Sequence, residues 1–177
     1  LIHQYSKLLL KSGKKRRSQR VLEQSWMTSK HPDTIEQLIA VTANDEPVDR
    51  YRVAQKIISQ NLDADTALIL ARYALEAKLW GEARKHIELT LRERSSVAAC
   101  EMMAAIEDEE QSVSDAAREW QGKMLTAAAD KAWVCSNCHA NSDSWSPTCR
   151  SCGEFDQIEW QFPAAVTEAK ARVLPMQ

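Results

Sequence analysis

Apolar positions in the first 130 residues fall at helical intervals, in runs separated by polar or proline-bearing breaks. Ile2, Tyr5, Leu8 and Leu9 form the first stripe, and Ser12-Gly13 interrupts it before Val21, Leu22 and Trp26 resume the spacing. His31-Pro32-Asp33 closes this helical hairpin, because proline disfavours α geometry in the residue before it. The pattern then predicts a short helix from Asp33 to Thr42 and another from Val48 to Ser59, with Tyr51, Val53, Ile57 and Ile58 as its apolar residues. Asp63 or Asp65 can cap the next helix, whose Leu68, Ala71, Leu75 and Leu79 recur at intervals of three and four. Gly81 reads as the following turn, and Glu82 to Glu93 continues with Ala83, Ile87 and Leu91 on one side. A last pair of helices is predicted from Val97 to Ile106 and from Ser112 to about Ala128.

These hairpins carry a repeat. Ala83-Arg84 recurs as Ala117-Arg118 at an offset of 34 residues, each pair opening a second helix after a turn, and 34 is the tetratricopeptide period. Ala71 and Ala83 are the small residues that close helix approach needs, with Trp80 and Ile87 at bulky packing positions. Lys78 stands where that repeat usually has glycine, and Ser95 where it usually has proline. One hairpin cannot bury its own apolar face, so neighbours cover it and the array curves into a concave surface that takes peptides or helices. The expected fold is therefore mostly α: a tetratricopeptide-like hairpin array, an α-solenoid, over residues 1–130, followed by a small four-cysteine module over 131–162 and a tail over 163–177 that has room for a short helix.

Composition sharpens this in what it excludes. An apolar content of 44% supports a real core, while four glycines and five prolines leave little room for a β-sandwich or a glycine-rich nucleotide loop. The net charge of −2 argues against a dedicated nucleic-acid binder. Charge is unevenly placed: residues 1–30 hold eight Lys/Arg against the single acid Glu23, and residues 101–119 hold seven acids against Arg118. The runs Lys14 to Arg17 and Glu107 to Glu110 are read as solvated helix faces. There is no phosphate-cradling loop and no evident catalytic group, so the chain is expected not to be an enzyme. It has no signal peptide or long apolar run, and because it starts at Leu1 inside a helical stripe it is read as a fragment of a longer protein.

The most specific chemistry lies between Trp133 and Trp160. Cys135, Cys138, Cys149 and Cys152 form two Cys-x-x-Cys pairs separated by ten residues, the spacing of a structural zinc site. Each two-residue gap lets both thiolates of a turn face a common centre, and two turns complete a tetrahedron with no position open to substrate. One zinc ion per chain would then supply folding energy of ~10–16 kcal/mol to a segment too short for a core of its own. Iron suits the same four sulfurs. Trp133, Trp145, Phe155, Ile158 and Trp160 are expected to pack around the cluster on short strands. Gly153 gives the second turn its backbone freedom, and His139 holds the equivalent place in the first. Two rivals use the same residues: Cys135-Ser136-Asn137-Cys138-His139 has the form of a c-type haem attachment site, and a Cys-x-x-Cys pair can be a redox dithiol, although no thioredoxin-like βαβ pattern surrounds it. Cys100 reads as a buried helix residue, and His3, His31 and His86 as surface or packing histidines.

Taken in order, LWGEARKHIE, DAAREW, WVC-x-x-C, WSP-x-C-x-x-CG-x-FD and a closing Trp resemble the C-terminal half of HemY-type tetratricopeptide inner-membrane proteins of Gram-negative bacteria, associated with late haem biosynthesis. The resemblance spans the chain from the first hairpin to Trp160 and is most specific over Leu79 to Trp160. It implies a parent anchored in the inner membrane by an N-terminal hairpin absent here, with these repeats facing the cytoplasm. The hairpin array itself leads to the expectation of a protein partner on the repeat surface, and the net charge to that of no nucleic-acid partner. The cysteine module by itself resembles the zinc ribbons of RadA-type repair ATPases and the rubredoxin-like knuckle of LapB-type regulators of lipopolysaccharide synthesis. The second of these also joins helical hairpins to a terminal four-cysteine module and is the alternative family.

Overall fold

The computed structural model describes residues 2–59, 62–110 and 115–163, and the chain divides into two compact units, Leu1–Ala128 and Ala129–Gln177. Among the described residues the first unit holds eight helices: α1 (Ile2–Lys11), α2 (Lys15–Thr28), α3 (Pro32–Thr42), α4 (Pro47–Ile58), α5 (Ala64–Glu76), α6 (Trp80–Glu93), α7 (Val97–Glu110) and α8 (Asp115–Met124). Each packs on its neighbours in sequence, the pattern expected when every helix has one apolar stripe to cover. None of these helices is long and apolar enough to cross a membrane.

The helix starts follow local chemistry. Pro32 opens α3 and Pro47 opens α4, at positions where the missing proline N–H has no intrahelical partner to lose. His31 caps α3, its Nδ1 accepting the Asp33 N–H at 3.1 Å. Asp63, rather than Asp65, caps α5 through a capping box: its Oδ1 accepts the Thr66 N–H at 2.9 Å, and the Thr66 hydroxyl oxygen accepts the Asp63 N–H at 2.8 Å. Asp65 instead pairs with Arg94 at 3.0 Å, tying the end of α6 to the start of α5. Between α1 and α2 the chain reverses at Gly13, whose φ of 70° is open to glycine without a Cβ clash.

Two boundaries depart from the periodic reading. The chain turns between α5 and α6 at Lys78, with φ of 56°, and Gly81 lies inside α6. Glu76, Ala77 and Lys78 are helix formers, so periodicity alone does not mark this turn, which is closed by the Lys78 N–H donating to the Leu75 carbonyl at 2.9 Å and the Leu79 N–H to that of Ala74 at 2.8 Å. The last helix stops at Met124 rather than near Ala128, leaving Leu125 89% exposed. Here tertiary pairing overrides propensity, because the Ala128 carbonyl accepts the Val97 N–H at 3.2 Å and so closes the start of α7. The helix expected within the tail lies outside the described residues.

The core of the first unit is built on fully buried Leu22, Ile35, Leu38, Ile58, Ile87 and Ile106. Ala71, Ala83 and Ala117 are buried as small residues must be where helices approach closely. The two arginines that follow the offset alanines differ: Arg84 reaches Glu107 on α7 at 2.6 Å, whereas Arg118 pairs within its own helix with Asp115 at 3.4 Å. The histidines read as packing residues do pack. His86 is buried with its Nε2 3.2 Å from the Tyr51 hydroxyl, which donates to Glu82 Oε2 at 3.2 Å, and His3 Nε2 lies 3.1 Å from Thr34 Oγ1. Burial, together with the Glu82 carboxylate, pushes Tyr51 up to about 12.

The second unit is a three-stranded antiparallel sheet of order β2-β1-β3, formed by β1 (Ala132–Cys135), β2 (Asn141–Ser142) and β3 (Ile158–Gln161). Trp133 on β1 stands opposite Ser142 and Trp160, and Cys135 opposite Ile158. The Trp133 and Trp160 rings meet edge to face with centroids 5.5 Å apart.

Candidate metal centre

Each Cys-x-x-Cys pair closes a tight knuckle, and the two knuckles are built alike. The Cys135 carbonyl accepts the His139 N–H at 2.8 Å, and the Cys149 carbonyl accepts the Gly153 N–H at 2.9 Å. Cys135 N–H donates to the Ala140 carbonyl at 3.0 Å, and Cys149 N–H to that of Glu154 at 2.8 Å. Each of these two hydrogen bonds in the first knuckle thus has its counterpart fourteen residues later. The equivalence extends to the left-handed seat after the second cysteine, with φ of 59° at His139 and 79° at Gly153. Glycine takes that seat without strain, while for histidine it costs roughly 1–2 kcal/mol, which the knuckle's hydrogen bonds and cysteine packing offset.

The geometry brings all four predicted ligands together. Cys135 Sγ lies 3.8 Å from Cys152 Sγ, Cys138 Sγ lies 3.7 Å from Cys149 Sγ, and all four sulfurs fall within 4.8 Å of one another. Sulfurs held at about 2.3 Å from a central ion in a tetrahedron stand about 3.8 Å apart. The two close distances across the knuckles match that edge, so the cluster can hold a tetrahedral thiolate-bound metal ion. Cys135 and Cys149 are buried, Cys138 is half-buried and Cys152 is exposed, which sets the cluster at the rim of the module.

The two outer thiols are polarised in opposite senses. The Glu154 N–H and the Asn137 side-chain amide, the latter 3.6 Å from Cys152 Sγ, hold Cys152 down to about 6. The Ala140 N–H pulls Cys138 down as well, but burial and the other three cysteines outweigh it and push Cys138 up to about 11. Without an ion, four thiols so close cannot all ionise. A divalent cation supplies the compensating charge and displaces their protons.

The apolar surroundings differ from expectation. Ile158 is buried and Trp133 packs partly buried against the cluster, but Trp145 is 42% and Phe155 70% exposed, so neither packs around it. Both sit in the segment between and after the knuckles, where no second layer among the described residues buries them. Val134, absent from the sequence reading, is buried at 1% exposure beside Cys135, and the unbroken apolar run of β1 is the signal that could have found it. Asn137 was also missed, since nothing in the spacing of the cysteines reports the amide that faces Cys152. Cys100 is buried in α7 of the first unit and is not part of the cluster.

A helical first unit joined to a module with a four-sulfur cluster is therefore the class of protein that fold and site define. No family model matches the chain. A stretch of 106 residues, 59% of the chain, is 32% identical to the probable magnetosome protein Mms48 of Magnetospirillum gryphiswaldense. That stretch covers 24% of Mms48, so the chain is similar to about a quarter of its relative's length.

Proposed function

We propose that the chain is a non-enzymatic protein-interaction scaffold: a tetratricopeptide-like array that receives a protein partner, ending in a module held together by one structural zinc ion. The observation that carries this reading is the closed set of four mutually adjacent sulfurs, which fills a tetrahedron and leaves no coordination position for a substrate. Zinc is favoured over iron because four cysteine ligands in paired knuckles are its commonest structural setting. The repeat reading draws support from neighbour-on-neighbour helix packing and from the buried alanines 34 residues apart, Ala83 and Ala117. Thioether bonds from Cys135 and Cys138 to haem would take two sulfurs out of the cluster and strand Cys149 and Cys152, which weighs against covalent haem.

The setting is proposed on resemblance alone. The HemY likeness points to haem or porphyrin biosynthesis at the bacterial inner membrane, with the array facing the cytoplasm and attachment through a parent's N-terminal anchor. The LapB likeness makes regulation of lipopolysaccharide synthesis the alternative, and the name carried by Mms48 offers a magnetosome role as a third setting for the same scaffold.

Cobalt(II) replacement tests whether the site is closed. The cobalt protein is expected to show tetrahedral tetrathiolate bands that stay unchanged when cyanide, imidazole or small thiols are added. A spectrum that shifts on adding them reveals an open position and overturns the structural assignment.

A further inference from the structure

The α1–α2 hairpin carries a surface that the scaffold reading does not use. Five cations, Lys11, Lys14, Lys15, Arg16 and Arg17, crowd into seven residues at its tip, all exposed, and the chain has no acid before Glu23. Among the described residues none of the five forms an ion pair, whereas most cations from Arg50 onward do. Apolar groups run up to this tip. Ile2, Tyr5, Leu8 and Lys11 follow at three-residue intervals, a row that winds about 60° round α1 at each step, so Tyr5 adjoins Leu8 and Leu8 adjoins Lys11. Ile2 is 42%, Tyr5 41% and Leu8 60% exposed, while Leu9 and Ser6 carry the buried side of the helix. Gly13 holds the reversal tight, so the end of the stripe and the cations share one end of the hairpin.

We propose that this hairpin tip docks on the surface of an anionic phospholipid bilayer. Tyr5 and Leu8 enter the boundary between headgroups and acyl chains, and the five cations face the lipid phosphates. The pairing of charge with exposed apolar surface selects this partner: a nucleic acid satisfies the cations but gives Leu8 and Tyr5 nothing to enter, and a covering helix satisfies the stripe but leaves the charged loop unused.

The test is co-sedimentation of the full chain with phosphatidylcholine vesicles, plain or containing roughly 30 mol % phosphatidylglycerol. Binding is expected with the anionic vesicles alone and to weaken as salt is raised. Lys15→Gln and Arg16→Gln should each lower the partition about fivefold, the ~1 kcal/mol a cation gains near such a surface. Leu8→Gln should lower it roughly tenfold with the helical circular dichroism unchanged, since Leu8 is exposed. Absence of selectivity for anionic vesicles overturns the proposal. So does binding that Leu8→Gln leaves intact while a duplex RNA competes it away, which marks a nucleic-acid surface. Self-association that Leu8→Gln abolishes, without vesicle binding, marks the stripe as an interface between copies and overturns it as well.

Discussion

Replacing Cys149 with serine removes one sulfur from a cluster whose close pairs stand 3.7 and 3.8 Å apart. The expected effect follows from what else holds the second unit together. Apart from its cysteines, the buried aliphatic side chains there are Val134 at 1% and Ile158 at 5% exposure, among the described residues. Burying such a side chain contributes about 1.5–3 kcal/mol, so the pair supplies ~3–6 kcal/mol. Zinc on four thiolates supplies ~10–16 kcal/mol in a small module, and the metal therefore outweighs the apolar core severalfold. Serine offers a hydroxyl that binds zinc far more weakly than a thiolate, and the module should unfold. The first unit should not, because all eight helices and their own core lie within it. Near-ultraviolet circular dichroism reads the edge-to-face pair of Trp133 and Trp160, and far-ultraviolet dichroism reads the helices. In Cys149→Ser, and equally in wild type stripped by a chelator, the Trp133–Trp160 part of the aromatic signal should be lost, while the part from Trp26, Trp80 and Trp120 in the first unit and the helical signal persist. Trp145, already exposed, should contribute little to the change. An aromatic signal equal to that of the metal-bound wild type would refute the reasoning, since the small apolar core would then suffice alone.

Other outcomes follow from the first unit. Cys100→Ala should leave metal content unchanged and cost about 1 kcal/mol from a small lost volume in α7; a fall in bound metal would show Cys100 to be a ligand. Asp63→Ala should destabilise by about 1–2 kcal/mol, because it removes the α5 cap and the Lys30 contact at 2.9 Å, whereas Asp63→Asn should keep most of the cap; equal midpoints for wild type and the alanine variant in urea would contradict this. Burial tends to raise Asp63, but the Thr66 N–H and Lys30 outweigh it and hold the group below its ordinary 3.8, so its contribution is full above that value and disappears as pH falls through the lower, folded one. Burial holds His3, His31 and His86 below the ordinary 6.5, so the unfolded chain takes up protons first. Stability should then be full above pH 6.5 and decline below it, by at most ~1.4 kcal/mol per pH unit for each histidine; a urea midpoint that holds or rises on acidification through this range would contradict the burial.

What the chain discloses about itself divides along a physical line. Helical spacing announces α5, but its buried face is only partly read: of Leu68, Ala71, Leu75 and Leu79 only Ala71 is fully buried, and Leu70 and Ala74 complete the covered side. Caps are legible for the same local reason, and Asp63 with Thr66 closes its box within one turn. The turn at Lys78 is legible only through the repeat, which usually has glycine there, because lysine itself favours helix and the composition points to Gly81 instead. The end of α8, fixed by a hydrogen bond from Val97, is not legible, nor is the Tyr51, Glu82 and His86 network, whose members are 31 and 35 residues distant from Tyr51 in sequence. At the metal centre the ligand set was legible because two-residue spacing is a geometric requirement of a shared ion. The exposure of Trp145 and Phe155 was not, because whether an aromatic near a knuckle is covered depends on tertiary contacts that cysteine spacing does not report.

The account rests on the four sulfurs being a closed, structural metal site. Elemental analysis of the full chain as purified, read with its visible spectrum, tests that most directly. The expected result is one zinc per chain, no visible absorption, and loss of the ion in Cys149→Ser. A Soret band that survives acid-acetone extraction, or a chain with no bound metal that keeps the ordered Trp133–Trp160 pair, would contradict it.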